Sequence, residues 1–168
     1  GTVLSYLTIG RIRSNNQAYR MIVVPRAKTQ VNTRIFGTKL DVSNYFEIVA
    51  DINGNGVYFL GATVGDIFSL YSDLVLTEGV PIETIWIKTS SMMSITCRTS
   101  GSWTTPEVLD NATAKSPLGI GPSYFLGLSA NGSSSQFTGN IPLFETLDIP
   151  LGIADPLAWA KAQWGLPA

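Results

Sequence analysis

Short runs in which apolar and polar residues alternate recur along this chain, set apart by clusters of Gly, Pro, Asn and Ser. A period of two places every second side chain on one face of an extended segment, so each run reads as a β-strand with one buried face. The runs that fit are Val3–Arg13, Ala18–Pro25, Thr33–Leu40, Tyr45–Asp51, Val57–Thr63, Ile82–Thr89, Met92–Thr99, Ser123–Ala130 and Ile141–Ile149. Strands this short, with turn signals between them, have the spacing of a sandwich or a barrel, and an all-β, antiparallel β-sandwich is the expected fold. In Ile82–Lys88, Glu83, Ile85 and Ile87 share one face, and Ile82, Thr84 and Trp86 share the other. In the last run Ile141, Leu143, Leu147 and Ile149 fall on one face. Pro142 and Pro150 predict an edge strand there, or one with ragged ends, because proline cannot donate to a ladder. Asp51-Ile52-Asn53-Gly54-Asn55-Gly56 separates two apolar runs, and Asn and Gly accept the positive φ that a tight β-hairpin demands. The same residues imitate the start of a calcium loop, but Ala62 stands where that loop needs a bidentate glutamate, so no metal site is assigned.

Two stretches depart from the period of two. Asp66 can cap a short internal helix in which Ile67, Leu70, Tyr71 and Leu74 form a stripe at helical spacing. Near the end, Asp155-Pro156 is a cap followed by proline at the first helical position, and Gly165 closes a C-terminal helix over 155–165. Leu157, Ala160 and Trp164 make one stripe of it, while Trp159 points elsewhere. A helix of this kind docks on its own sheet or on a neighbouring subunit, so Leu157, Trp159 and Trp164 are the candidate subunit-contact residues.

A chain of 168 residues with no internal repeat reads as a single β-sandwich domain, large enough to hold itself together without metal or disulfide. Charged residues are only 14% of it, which points to a surface partly covered by partners or to one rich in Ser, Thr and Asn. Cys97, the single cysteine, lies in an apolar run and reads as a buried small hydrophobe. No stretch is long and apolar enough for a membrane helix, and no membrane partner is assigned. The chain starts at Gly1 rather than Met, which reads as a processed chain or a piece of a longer product.

Charge is segregated. The first 40 residues carry seven cations and no acid, and the remainder carries 12 acids and four cations, so a net charge of −1 hides a split of +7 against −8. A one-sided basic segment faces an anionic partner such as nucleic acid, or else its cations sit on ordinary solvated strand faces. The candidate nucleic-acid-facing residues are Arg11, Arg13, Arg20, Arg26, Lys28 and Arg34.

The absence of histidine removes the usual hydrolase triads and most zinc sites. Glu145 and Asp148, three apart, point to opposite faces of a strand, and Asp41, Glu47 and Asp51 read as surface carboxylates. No catalytic residue and no cofactor is assigned. Aromatic residues that could form a sugar platform are Trp86, Trp103, Tyr124 and Phe125, with Trp103 foremost because Gly101-Ser102-Trp103-Thr104-Thr105-Pro106 is loop-like. The alternative for Trp103 is a ring folded over the core.

The run Asp66–Leu74 followed by Pro81–Lys88 resembles a piece of the single jelly-roll coat proteins of small icosahedral viruses, in which a strand leads to a short helix and then the next strand. The segment Gly139–Pro150 resembles their last jelly-roll strand. The resemblance implies a self-assembling capsid subunit of a virion, with sister coat subunits as partners and the basic segment turned toward packaged nucleic acid. The alternative is an extracellular carbohydrate-binding or adhesin-type β-sandwich module that uses Trp103 and nearby loops.

Overall fold

A computed structural model describes residues 7–9, 16–26, 33–41, 44–51, 56–63, 66–72, 74–89, 91–110, 124–126 and 137–168. Eleven strands and one helix are found among them. The strands are β1 (Leu7–Ile9), β2 (Gln17–Pro25), β3 (Thr33–Asp41), β4 (Asn44–Asp51), β5 (Gly56–Thr63), β6 (Asp66–Tyr71), β7 (Ile82–Lys88), β8 (Met92–Arg98), β9 (Glu107–Asp110), β10 (Tyr124–Leu126) and β11 (Gly139–Asp148), and the helix is α1 (Pro156–Gln163). All pairings are antiparallel, in a six-stranded sheet ordered β1-β10-β3-β4-β5-β6 and a five-stranded sheet ordered β11-β2-β7-β8-β9. The two ends of the chain wrap together, β1 against β10 and β2 against β11, while β3–β6 and β7–β9 are plain meanders. The result is an antiparallel, jelly-roll-like β-sandwich.

The core lies between the sheets. Ile35, Ile48 and Leu70 of the larger sheet meet Tyr19, Met21, Val23, Ile82, Trp86, Met93, Ile95 and Cys97 of the smaller one. Burial raises the Cys97 thiol to about 12, against a weaker opposing pull from a hydrogen bond with Ser72, so it is an inert core group. At one pair of edges the sheets are tied together by the Tyr71 amide, which donates to the Glu107 carboxylate at 3.1 Å.

The pairing predicted across Asp51 and Gly56 is present, with these two residues opposite each other in β4 and β5; residues 52–55 lie outside the described residues. The segment read as an internal helix is instead strand β6, paired with β5 from Tyr58↔Tyr71 to Thr63↔Asp66. Ile67, Phe68, Leu70 and Tyr71 are bulky residues that suit a pleated surface as well as a helix, and a ready ladder on β5 decides between the two. β9 was not among the expected strands; it is only four residues long and pairs with β8.

Strand β11 is an edge strand, as its prolines predict. Its register slips between Asn140 and Leu143, a bulge that holds Ile141 and Pro142. Ile141 therefore packs against the inner core, whereas Leu147 packs on the outer side of the sheet, and the expected single face is split.

Candidate functional site

The outer face of the five-stranded sheet carries a second, smaller cluster. Ala18 of β2 and Ile85 and Ile87 of β7 are fully buried there, beneath Ile149 and Ala160. Helix α1 supplies most of this cover. Its cap is the one the sequence predicts: the Asp155 carboxylate accepts from the Ala158 amide at 2.9 Å and proline follows. At the other end Leu166 donates to the Lys161 carbonyl and Gly165, at φ 65°, to that of Ala162, a turn that glycine closes without strain. Leu157, Trp159 and Trp164, the candidate subunit contacts, all pack against this cluster of their own sheet. Trp159 thus joins the stripe from which its spacing had separated it.

Beyond the helix, charge replaces apolar cover. Glu83 of β7 pairs with Arg20 of β2 and with Arg98 of β8, each at 2.6 Å, and Arg20 reaches on to Glu145 of β11 at 2.9 Å. Arg20 is therefore engaged by acids of its own fold. Among the other candidate nucleic-acid-facing residues, Arg26 is exposed and Arg34 lies on β3. The side chain of Arg34 lies outside the described residues, as do Arg11, Arg13 and Lys28 altogether. Glu145 and Asp148 do point to opposite faces, Glu145 toward Arg20 and Asp148 accepting from Gln17 at 3.0 Å.

The loop 99–106, between β8 and β9, lies at the junction of these two halves. Thr104 pins it: its amide donates to the Cys97 carbonyl at 2.8 Å, its carbonyl accepts from the Thr96 hydroxyl at 2.7 Å, and its own hydroxyl accepts from the Cys97 amide at 3.0 Å. Gly101, at φ 65°, lets the loop reverse. Trp103 is thereby laid over the outer cluster, half-buried, with its Nε1 enclosed and without a hydrogen-bond partner among the described residues. The Arg98 guanidinium stands 4.3 Å from the ring centroid and the Lys161 ammonium 5.1 Å. Cation–π contacts of this kind contribute about 0.5–2 kcal/mol each.

Beside the ring opens a groove of about 410 Å³, walled by Gly101–Pro106, Lys161, Pro167 and Ala168. Its walls offer the hydroxyls of Ser102 and Thr105, one ammonium and one indole, the Thr104 hydroxyl being engaged with β8. A ring already packed on the outer cluster with cations at its π-system is a wall of the groove rather than a bare stacking platform. A smaller groove of about 240 Å³ runs between Met92 and the 149–156 segment. Trp86 is wholly inside the core and cannot meet a ligand; the side chains of Tyr124 and Phe125 lie outside the described ones. No cluster of three metal-ligating side chains occurs among the described residues, and no helix among them is long and apolar enough to cross a membrane.

No protein-family model and no curated protein matches the chain. Its fold is nonetheless shared with solved structures. The full-length tailspike protein 2 of an Escherichia coli O157:H7 bacteriophage superposes on 96% of this chain, and on 23% of the tailspike, with a TM-score of 0.71 at 15% identity. The CBM40 of a Ruminococcus gnavus IT-sialidase, bound to α2,3-sialyllactose, superposes on 87% of this chain and 82% of its own length, with a TM-score of 0.62 at 13% identity. Domain 4 of an extracellular GH43 arabinanase from Geobacillus stearothermophilus, in complex with arabinotriose, covers 82% of this chain and 62% of that one, with a TM-score of 0.60 at 14% identity. At these identities the likeness speaks for the fold.

Proposed function

We propose that this chain is an extracellular carbohydrate-binding module whose ligand seats in the groove beside Trp103. The observation that carries the reading is the groove itself. A loop fastened to β8 by three hydrogen bonds at Thr104 presents an aromatic wall and the exposed Ser102 and Thr105 over an open volume of about 410 Å³. Rigid loops on a sandwich scaffold position ligand contacts at low entropic cost. Two of the similar structures hold an oligosaccharide, which supports a sugar as the ligand class. Binding, rather than catalysis, fits a site whose wall contains no carboxylate pair.

The comparisons favour this role over that of a shell subunit, and the pairing of Arg20 with Glu83 and Glu145 removes one of the cations that the shell role would turn toward a genome. A glycan array tests the proposal. The chain is expected to retain at least one glycan class, with Trp103→Ala weakening it 10-fold or more. Thr105→Ala, an exposed wall residue outside the apolar cluster, should weaken it several-fold without a change in melting temperature. Retention of no glycan, or retention indifferent to both substitutions, would overturn it.

A further inference from the structure

We infer that the groove selects a sugar bearing an anionic group, which pairs with the Lys161 ammonium. The inference rests on the carbohydrate-binding reading above and names the class of sugar.

Lys161 is only 8% exposed as a residue, yet among the described residues its ammonium has no hydrogen bond and no ion pair. Its neighbours show how unusual that is. Arg98, over the same indole, is held by Glu83 at 2.6 Å, and Arg20 by Glu83 and Glu145. Three cations thus share two acids on this face, and the charge left over is the one lining the groove. Asp155 acts on Lys161 only through space: its carboxylate caps the Ala158 amide and makes no ion pair with the ammonium among the described residues. The last turn of the helix favours a cation there but gives the ammonium no direct partner. The carbonyls of Ala160, Lys161 and Ala162 accept from the amides of Trp164, Leu166 and Gly165, and the ammonium lies over Trp103 instead.

The stem of Lys161 is packed away while its ammonium stays open to the groove, where the neighbouring Arg98 guanidinium disfavours its charge and the indole face offsets this only in part. An anion entering the groove would supply the missing partner through a charge-assisted hydrogen bond. The remaining walls combine the hydroxyl residues Ser102 and Thr105 with Trp103 and apolar backbone turns, and hold no Asp or Glu side chain. One negative charge set among hydroxyl-bonding groups describes an acidic sugar, carrying either a ring carboxylate or a sulfate ester.

Titration calorimetry with matched oligosaccharides tests this: a uronic-acid oligomer, sialyllactose, a sulfated oligomer, and the neutral counterpart of each. The expected result is a preference of 10-fold or more for the carboxylated or the sulfated member over its neutral counterpart, and the arm that binds identifies the anion. Lys161→Gln should reduce that preference to less than 3-fold, whereas Lys161→Arg should retain it. Because the side chain is nearly buried, melting temperatures of both variants accompany the titration, and the conservative Lys161→Arg keeps the charge where Lys161→Gln loosens the fold. Neutral sugars bound in a Trp103-dependent manner with no effect of Lys161→Gln would overturn the anionic specificity and leave the module reading intact. No binding to any sugar would overturn both.

Discussion

The inner face of the five-stranded sheet turns Tyr19, Met21, Ile82, Trp86 and Ile95 toward the opposing sheet, whereas the outer face turns Ala18, Ile85 and Ile87 toward a helix and Arg20, Glu83 and Arg98 toward one another. The first face is held by close packing over its whole area. The second is finished in two pieces, apolar under α1 and ionic beyond it. Strand β7 is buried on both sides as a result, which is why Ile82–Lys88 reads as a nearly unbroken apolar run. Packing alone suffices where a sheet covers a sheet. Where a helix of eight residues covers a sheet of five strands, something else must occupy the rest, and that boundary is where the Trp103 groove opens.

If the inner face depends on packing, Trp86→Ala should be the most damaging change, costing about 4 kcal/mol in urea unfolding at constant m-value. A cost comparable to that of an exposed residue would break the distinction between the faces.

Lys88 sharpens it from the other direction, since it is a cation at the inner end of β7, 1% exposed, and burial lowers its pKa to about 8. The unfolded chain binds that proton up to about 10.5, so between the two values the unfolded state holds more protons and stability rises with pH. The gain is roughly 3 kcal/mol at most, complete above the unfolded value and lost as pH falls toward the folded one. In Lys88→Met, unfolding curves across that window should lose this slope; an unchanged slope would assign it to other groups.

On the outer face, Glu83→Gln leaves Arg20 and Arg98 facing each other without their shared acid. It should cost about 2 kcal/mol, with part recovered in high salt, which would not be so for Trp86→Ala. Asp155→Ala removes only a helix cap and should cost about 1 kcal/mol, read as a small shift in melting temperature. If it cost as much as Glu83→Gln, α1 would matter to this face more than the ion chain does.

The sequence revealed strands better than it revealed partners. Period-two runs located β2, β3, β4, β5, β7, β8 and β11 to within a residue or two, because each carries its pattern within itself. Asp155-Pro156 and Gly165 located the terminal helix for the same reason. The segment 66–71 was misread because Ile67, Leu70 and Tyr71 satisfy a helical stripe as well as a strand, and the deciding ladder on β5 is a tertiary fact. Ile141 was placed on the wrong face because a single bulge inverts every position before it, and nothing local marks the bulge except Pro142. One point of the charge map changes for a similar reason. Arg20 looked unpaired among early cations, while its acids, Glu83 and Glu145, lie 63 and 125 residues further along. Trp103 was legible as a loop aromatic; Lys161, its groove partner, sat unremarked on a helix, and only the fold brings the two together.

Because β2 lies between β11 and β7, the second strand of the chain completes one side of its hydrogen bonding only with residues more than a hundred positions later. Such long-range closure implies a high contact order, and hence slow folding. On the ribosome the nascent sandwich would expose the flank of β2 until residue 148 has emerged, and for that interval it is open to strand exchange with other chains.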